Sequence, residues 1–119
     1  MIGSIGEVSL IVGDGDTAIA YASGDVPVLA TPRVLALAEQ AAVAAINGLL
    51  GEERTTVGIH AELHHVKATS VGGVVTARAE LLAVDGRKLT YEFSVGEGDA
   101  TVAYGTHQRV VVDRDKFTP

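Results

Sequence analysis

One stretch limits what this chain can fold into more than any other. It is VLATPRVLALAEQAAVAAINGLL, Val28 to Leu50, where apolar residues occupy nearly every position around a helix. A surface helix shows one apolar stripe, whereas a helix apolar almost all round is buried almost all round. Thr31 is placed to cap the free amides at the start, Pro32 suits the first helical position, and Gly48 and Gly51 mark the end. Glu39 stands in the middle of the run, with Leu35, Ala36, Ala42 and Val43 about one turn away. Burying an unpaired carboxylate is costly. Glu39 is therefore expected either to find hydrogen-bond partners or to emerge at a gap in the surrounding structure and stay solvated. Gln40 poses a milder version of the problem and suits a subunit interface.

Strands account for most of the rest. EVSLIV (Glu7–Val12) runs into the turn Gly13-Asp14-Gly15-Asp16, TAIAY (Thr17–Tyr21) is able to pair back on it, and ASGDVP (Ala22–Pro27) is a loop. After the helix come Thr55–Val66, Val74–Val84, Lys88–Val95 and Ala100–Val112. Asp85-Gly86 is a tight-hairpin signal, and Gly96-Glu97-Gly98-Asp99 links the next pair. The tail DRDKFTP reads as frayed or lightly docked. One helix with roughly six strands is most economically an α+β fold, an antiparallel sheet curled around the helix.

Composition removes several classes of function. At 119 residues the chain is expected to be a single domain, 1–119, with a real core. Hydrophobic residues make up 47% but aromatics only 4%, so Val, Leu, Ile and Ala must build that core. A net charge of −6 argues against nucleic acid, whose phosphates need a basic surface. Zero cysteines exclude a disulfide framework and a thiolate nucleophile. The start, MIGSIGEVSLIVGDGD, lacks a basic region before an apolar run, so no secretory leader is expected there. Arg33, Glu39, Gln40 and Asn47 interrupt Val28–Leu50 well short of ~18 clean apolar residues, so no membrane span is expected. The expected setting is cytoplasmic.

Strand alternation then assigns faces. In VGIHAELHH, the residues Val57, Ile59, Ala61, Leu63 and His65 fall on one face, which is mostly apolar and so the core face. His65 is expected to point inward, toward a helix that carries an inward Glu39. Thr31 lies near the same helical face and adds a hydroxyl. A core histidine is also compatible with a purely structural role. His60, Glu62 and His64 share the opposite face, where alternate residues are able to converge on zinc. With no fourth ligand or supporting shell in the sequence, a solvated polar face is the better reading, and no metal is expected. His107 and Arg109 share one face of the last strand and suit an anionic group, a partner subunit or a surface ion pair.

VLATPRVLALAEQAA, TTVGIHAELHHVKATSVG and GTHQRVVVDRDKF together resemble the hot-dog-fold thioesterases related to fluoroacetyl-CoA thioesterase. The resemblance extends from about Val12 to Phe117. It implies a hot-dog fold, a homodimer and an acyl-CoA substrate, with no separate cofactor. It also implies a Thr/Glu/His catalytic site at Thr31, Glu39 and His65, with the Gly58 amide beside the acyl carbonyl. Arg109 is the expected substrate-binding residue from its place on the last strand. The fluoroacetyl-selective enzyme carries phenylalanines in a lid before the helix, whereas SGDVPVLA here has none. A small or medium acyl-CoA is therefore the expected substrate, hydrolysed to free acid and CoA. The alternative is a non-catalytic acyl-CoA or hydrophobic-ligand binding module.

Overall fold

The structure, a computed structural model, describes residues 1–117. The long helix, α1, spans Thr31–Ala45 and is shorter at both ends than the apolar run that encodes it. Ala30 holds the N-cap position with extended backbone and no side-chain cap. The expected cap is corrected accordingly: Thr31 is the first helical residue, Pro32 follows it, and the Thr31 hydroxyl turns elsewhere. Arg33 Nε lies 3.0 Å from Asp16 Oδ1, tying the helix start to a short 3-10 turn at Asp14–Asp16. Past Ala45 the chain leaves the helix in turns, with Gly48 at φ 79°, a left-handed conformation natural to glycine.

A five-stranded sheet fills the remainder. Its strands are β1 (Ile5–Ile11), β2 (Arg54–His65), β3 (Val74–Asp85), β4 (Lys88–Glu97) and β5 (Ala100–Asp113). Their order is β1-β3-β4-β5-β2, antiparallel at every junction, as the α+β reading anticipated. Both β-hairpins that join β3 to β4 and β4 to β5 open with a glycine at positive φ, Gly86 at 60° and Gly98 at 57°. TAIAY does not form the sixth strand. Thr17 makes one isolated bridge to Leu29, and the following residues coil through turns that include Ala22 at φ 54°. In the tail, Arg114–Phe117 forms a short helical turn, α2, whose Arg114 amide donates to the Glu53 carbonyl. Thr118 and Pro119 lie outside the described residues.

Small residues set the distance between helix and sheet. α1 packs chiefly on β1 and β3, with lighter contact to β4 and β2. A Cβ on Gly6 would overlap the Ala41 carbonyl oxygen, so only glycine lets β1 approach this closely. Ala38, Ala41, Ala42 and Ala45 of α1 and Ala77 and Ala79 of β3 are all buried. Leu37, Leu81, Leu89, Tyr91 and Phe93 fill the wider parts. Burial around α1 is incomplete, contrary to the all-round apolar reading. Gln40, Val43 and Ala44 are exposed, and Leu35, Ala36 and Glu39 are only half-buried. Among the described residues, no helix is long and apolar enough to cross a membrane.

Candidate active site

A β-bulge decides which side chains of β2 face inward. β2 pairs with β5 in step from Arg54↔Asp113 to Gly58↔Arg109, then resumes at His60↔Gln108, leaving Ile59 unpaired. One extra residue reverses the alternation beyond it. Directly paired residues share a face, so Thr56 and Gly58 point inward with buried Val111 and Arg109. Past the bulge, Ala61, Leu63 and His65 point inward opposite His107, Gly105 and Ala103. The inward assignment of Val57 and Ile59 is thus corrected, and Ile59 is 53% exposed. His65 does face the helix side.

Thr31 and His65 meet directly. The Thr31 hydroxyl lies 2.8 Å from His65 Nδ1. Burial lowers the His65 pKa from its ordinary 6.5, opposed by a backbone hydrogen bond involving Lys67. The ring is therefore neutral at pH 7 and keeps one nitrogen lone pair for proton transfer. Its Nε2 is buried and, among the described residues, has no hydrogen-bond partner. An open cavity of about 310 Å³ adjoins the pair, lined by Ala18, Ser23, Val28, Leu29, Thr31 and His65 among others. A neutral imidazole within hydrogen-bond distance of a hydroxyl, beside an open cavity, is chemically able to take that hydroxyl's proton.

Glu39 belongs to a second cluster. Arg109 Nη1 donates to Glu39 Oε2 at 3.1 Å, and the same nitrogen lies 3.1 Å from His107 Nε2. Arg109 Nε donates to Thr56 Oγ1 at 2.9 Å and Nη2 to the Thr56 carbonyl at 3.0 Å. Arg109 is only 7% exposed, yet these partners satisfy most of its guanidinium donors. Gly58 lies against the cluster: a Cβ there would sit 2.8 Å from Glu39 Oε2 and 3.3 Å from Arg109 Nη1. Glu39 is thus paired and partly open to solvent, with 40% side-chain exposure.

The two clusters are separate within one chain. Among the described residues, no hydrogen bond or ion pair joins Glu39 to His65. Thr31 and Glu39 are about 12 Å apart along the α1 axis, and Gly58 and His65 about 20 Å apart along β2. Arg109 faces Glu39 and Thr56 in its buried setting. His107, read from sequence only as a neighbour of Arg109 on one strand face, proves to be buried beside it. The signal for this was present in the alternation of β5, whose Ala103, His107, Arg109 and Val111 are all buried. His60, Glu62 and His64 are exposed; His64 Nε2 lies 3.5 Å from Glu62 Oε1, and its ring stacks on Tyr104 at 5.1 Å. Among the described residues, no group of His, Asp and Glu is arranged to hold a metal ion.

This architecture and sequence have known counterparts. A family model described as fluoroacetyl-CoA-specific thioesterase matches residues 12–115. The fluoroacetyl-CoA thioesterase of Streptantibioticus cattleyicolor is 36% identical over 90 residues, which span 76% of this chain and 65% of that protein's length. A solved structure of a variant of the fluoroacetyl-CoA-specific thioesterase FlK, in complex with fluoroacetate and CoA, matches with a TM-score of 0.90 and 30% identity, covering 99% of each chain. A hot-dog-like protein from Thermanaerovibrio acidaminovorans matches with a TM-score of 0.87 and 24% identity, covering 97% of this chain and 85% of its own. The antiparallel sheet curled on one helix is the hot-dog fold.

Proposed function

The chain belongs to the fluoroacetyl-CoA-specific thioesterase family, and from that premise we propose that it hydrolyses a small or medium acyl-CoA thioester to the free acid and CoA. The observation that carries the reading is the 2.8 Å contact between Thr31 Oγ1 and His65 Nδ1 at the edge of an open cavity. In this reading Thr31 Oγ1 attacks the thioester carbonyl carbon while His65 takes the hydroxyl proton. The C–S bond breaks and the CoA thiolate takes that proton, leaving an acyl ester on Thr31. Glu39 then activates water to hydrolyse the ester and release the acid. The Gly58 amide would stabilise charge on the carbonyl oxygen. No cofactor is needed, and a cysteine-free chain acting on a CoA ester fits a cytoplasmic setting.

Both clusters take part only if a second copy joins them, and β2 is built for that. It is an edge strand, and five consecutive residues, Gly58–Glu62, are exposed along it. An open edge beside an uncovered apolar helix stripe invites a second strand. Consider a symmetric antiparallel pairing of β2 with the partner's β2 about a two-fold axis at Glu62. With the bulge absorbed, Ala61 stands opposite the partner's Leu63, and Gly58 opposite the partner's His65. From Gly58 to His65, every inward residue then meets an inward residue. Glu39, which rests against Gly58, comes beside the partner's Thr31 and the partner's His65. The homodimer thus supplies two sites, each composed from both protomers.

A panel of acyl-CoAs read by thiol release tests the reading. Release abolished by Glu39→Gln and by His65→Ala is the expected result. Binding without release of CoA from any member would instead identify a ligand-binding module.

A further inference from the structure

We propose that His107 is a positioning residue that aims Arg109 at Glu39, linking the bulge in β2 to the acid of the active site. The inference rests on the reading of Glu39 as the acid that activates water. His107 is 2% exposed and touches two groups that each leave it no choice. Its Nδ1 lies 2.7 Å from the His60 carbonyl oxygen, which only accepts, so Nδ1 carries the proton. Its Nε2 lies 3.1 Å from Arg109 Nη1, which only donates, so Nε2 is bare. One neutral tautomer satisfies both contacts. Arg109 Nη1 carries two hydrogens, and the geometry gives one to His107 Nε2 and the other to Glu39 Oε2.

The surroundings hold this arrangement in place. His60 follows the bulge residue Ile59, so the carbonyl that orients His107 is placed by the bulge itself. Tyr91 of β4 lies beside the ring at 6.2 Å, nearly parallel to it. The groups facing His107 are Arg109 on its own strand, Glu39 from α1, His60 from β2 and Tyr91 from β4. Burial is the first of several influences that lower the His107 pKa, with the Arg109 charge acting in the same direction and the His60 hydrogen bond opposing. The neutral form that Arg109 requires is thereby the stable one at pH 7. A misplaced carboxylate near the reacting carbon costs turnover rather than affinity, because its task comes after substrate has bound.

Two conservative variants separate positioning from mere packing. His107→Asn keeps a donor near Nδ1 for the His60 carbonyl but has no acceptor that reaches Arg109. His107→Gln places an amide oxygen near the position of Nε2 and so restores that acceptor. Steady-state kinetics and melting curves are measured for both, with Glu39→Gln alongside. His107→Asn is expected to lower kcat about tenfold with KM changed less than about twofold, and His107→Gln to recover most of the loss. Equal kcat losses in both variants, tracking their loss of thermal stability, would overturn the inference. So would a wild-type kcat in His107→Asn while Glu39→Gln abolishes turnover, a result that leaves the functional reading intact. Full turnover in Glu39→Gln would overturn that reading itself, and this inference with it.

Discussion

Gly58 has no side chain at the one place where Glu39 needs the room: a Cβ built on Gly58 would stand 2.8 Å from Glu39 Oε2. The backbone of Gly58 is not at positive φ, so the constraint is space rather than conformation. Gly58→Ala is accordingly expected to displace the carboxylate while sparing the fold. Turnover should fall by about tenfold or more, with the melting temperature nearly unchanged. Kinetics and a thermal melt on the same preparation check this.

The Thr31 hydroxyl tests the nucleophile assignment. Thr31 begins α1 without capping it, so replacing it removes no cap. Thr31→Val keeps the shape and deletes the contact to His65, and its kcat should drop by about a hundredfold or more. Thr31→Ser retains the hydroxyl and should retain most of the activity. Equal activity in the valine and serine variants would contradict the role.

Arg109 is a structural matter as well as a functional one. Its Nε and Nη2 hold the Thr56 hydroxyl and carbonyl in a buried setting. Lysine supplies the charge but not the planar fork. Arg109→Lys should therefore destabilise the protein by about 1–3 kcal/mol, measured by chemical denaturation, and lower turnover beyond what the stability loss explains.

Acid should weaken the fold in a defined order. Burial lowers the pKa of both His65 and His107 below their ordinary 6.5. The folded state disfavours their charged forms, so the unfolded chain binds more protons between the lowered values and 6.5. Stability from these groups is complete above 6.5 and declines as pH falls toward the lowered values. A second decline belongs to Asp16 and Glu97, whose carboxyls are held below their ordinary range. The Gly13 amide does this for Asp16, and the Lys67 hydrogen bond for Glu97. Unfolding measured from pH 8 to pH 4 should show the first decline reduced in His107→Gln.

The helix and the hairpins were legible because their signals are local. An apolar run opened by Thr31-Pro32 and a glycine in each tight turn, Gly86 and Gly98, need no tertiary knowledge. The bulge at Ile59 was not legible. Isoleucine is an ordinary strand residue, and the extra position exists only relative to β5. That single residue turned Gly58 inward and Ile59 out. The alternation of β5 put His107 and Arg109 on one face with apolar neighbours, but the covering of that face depends on β5 lying between β4 and β2, an order that sequence adjacency does not reveal. From the sequence, Thr31 was placed near the helical face of Glu39 and His65 inward toward that face; within the chain Thr31 and His65 meet. Glu39 was placed with them from the same alternation, yet within the chain it sits with Arg109, His107 and Gly58.

Complementation between two inactive variants tests the composite site most directly. Glu39→Gln and His65→Ala chains are mixed by unfolding and refolding together, and thiol release is compared with each variant alone. A site shared between protomers regains one intact copy in each mixed dimer, predicting about a quarter of wild-type activity from random pairing. Mixed dimers verified by mass, yet as inactive as either parent, would contradict the account.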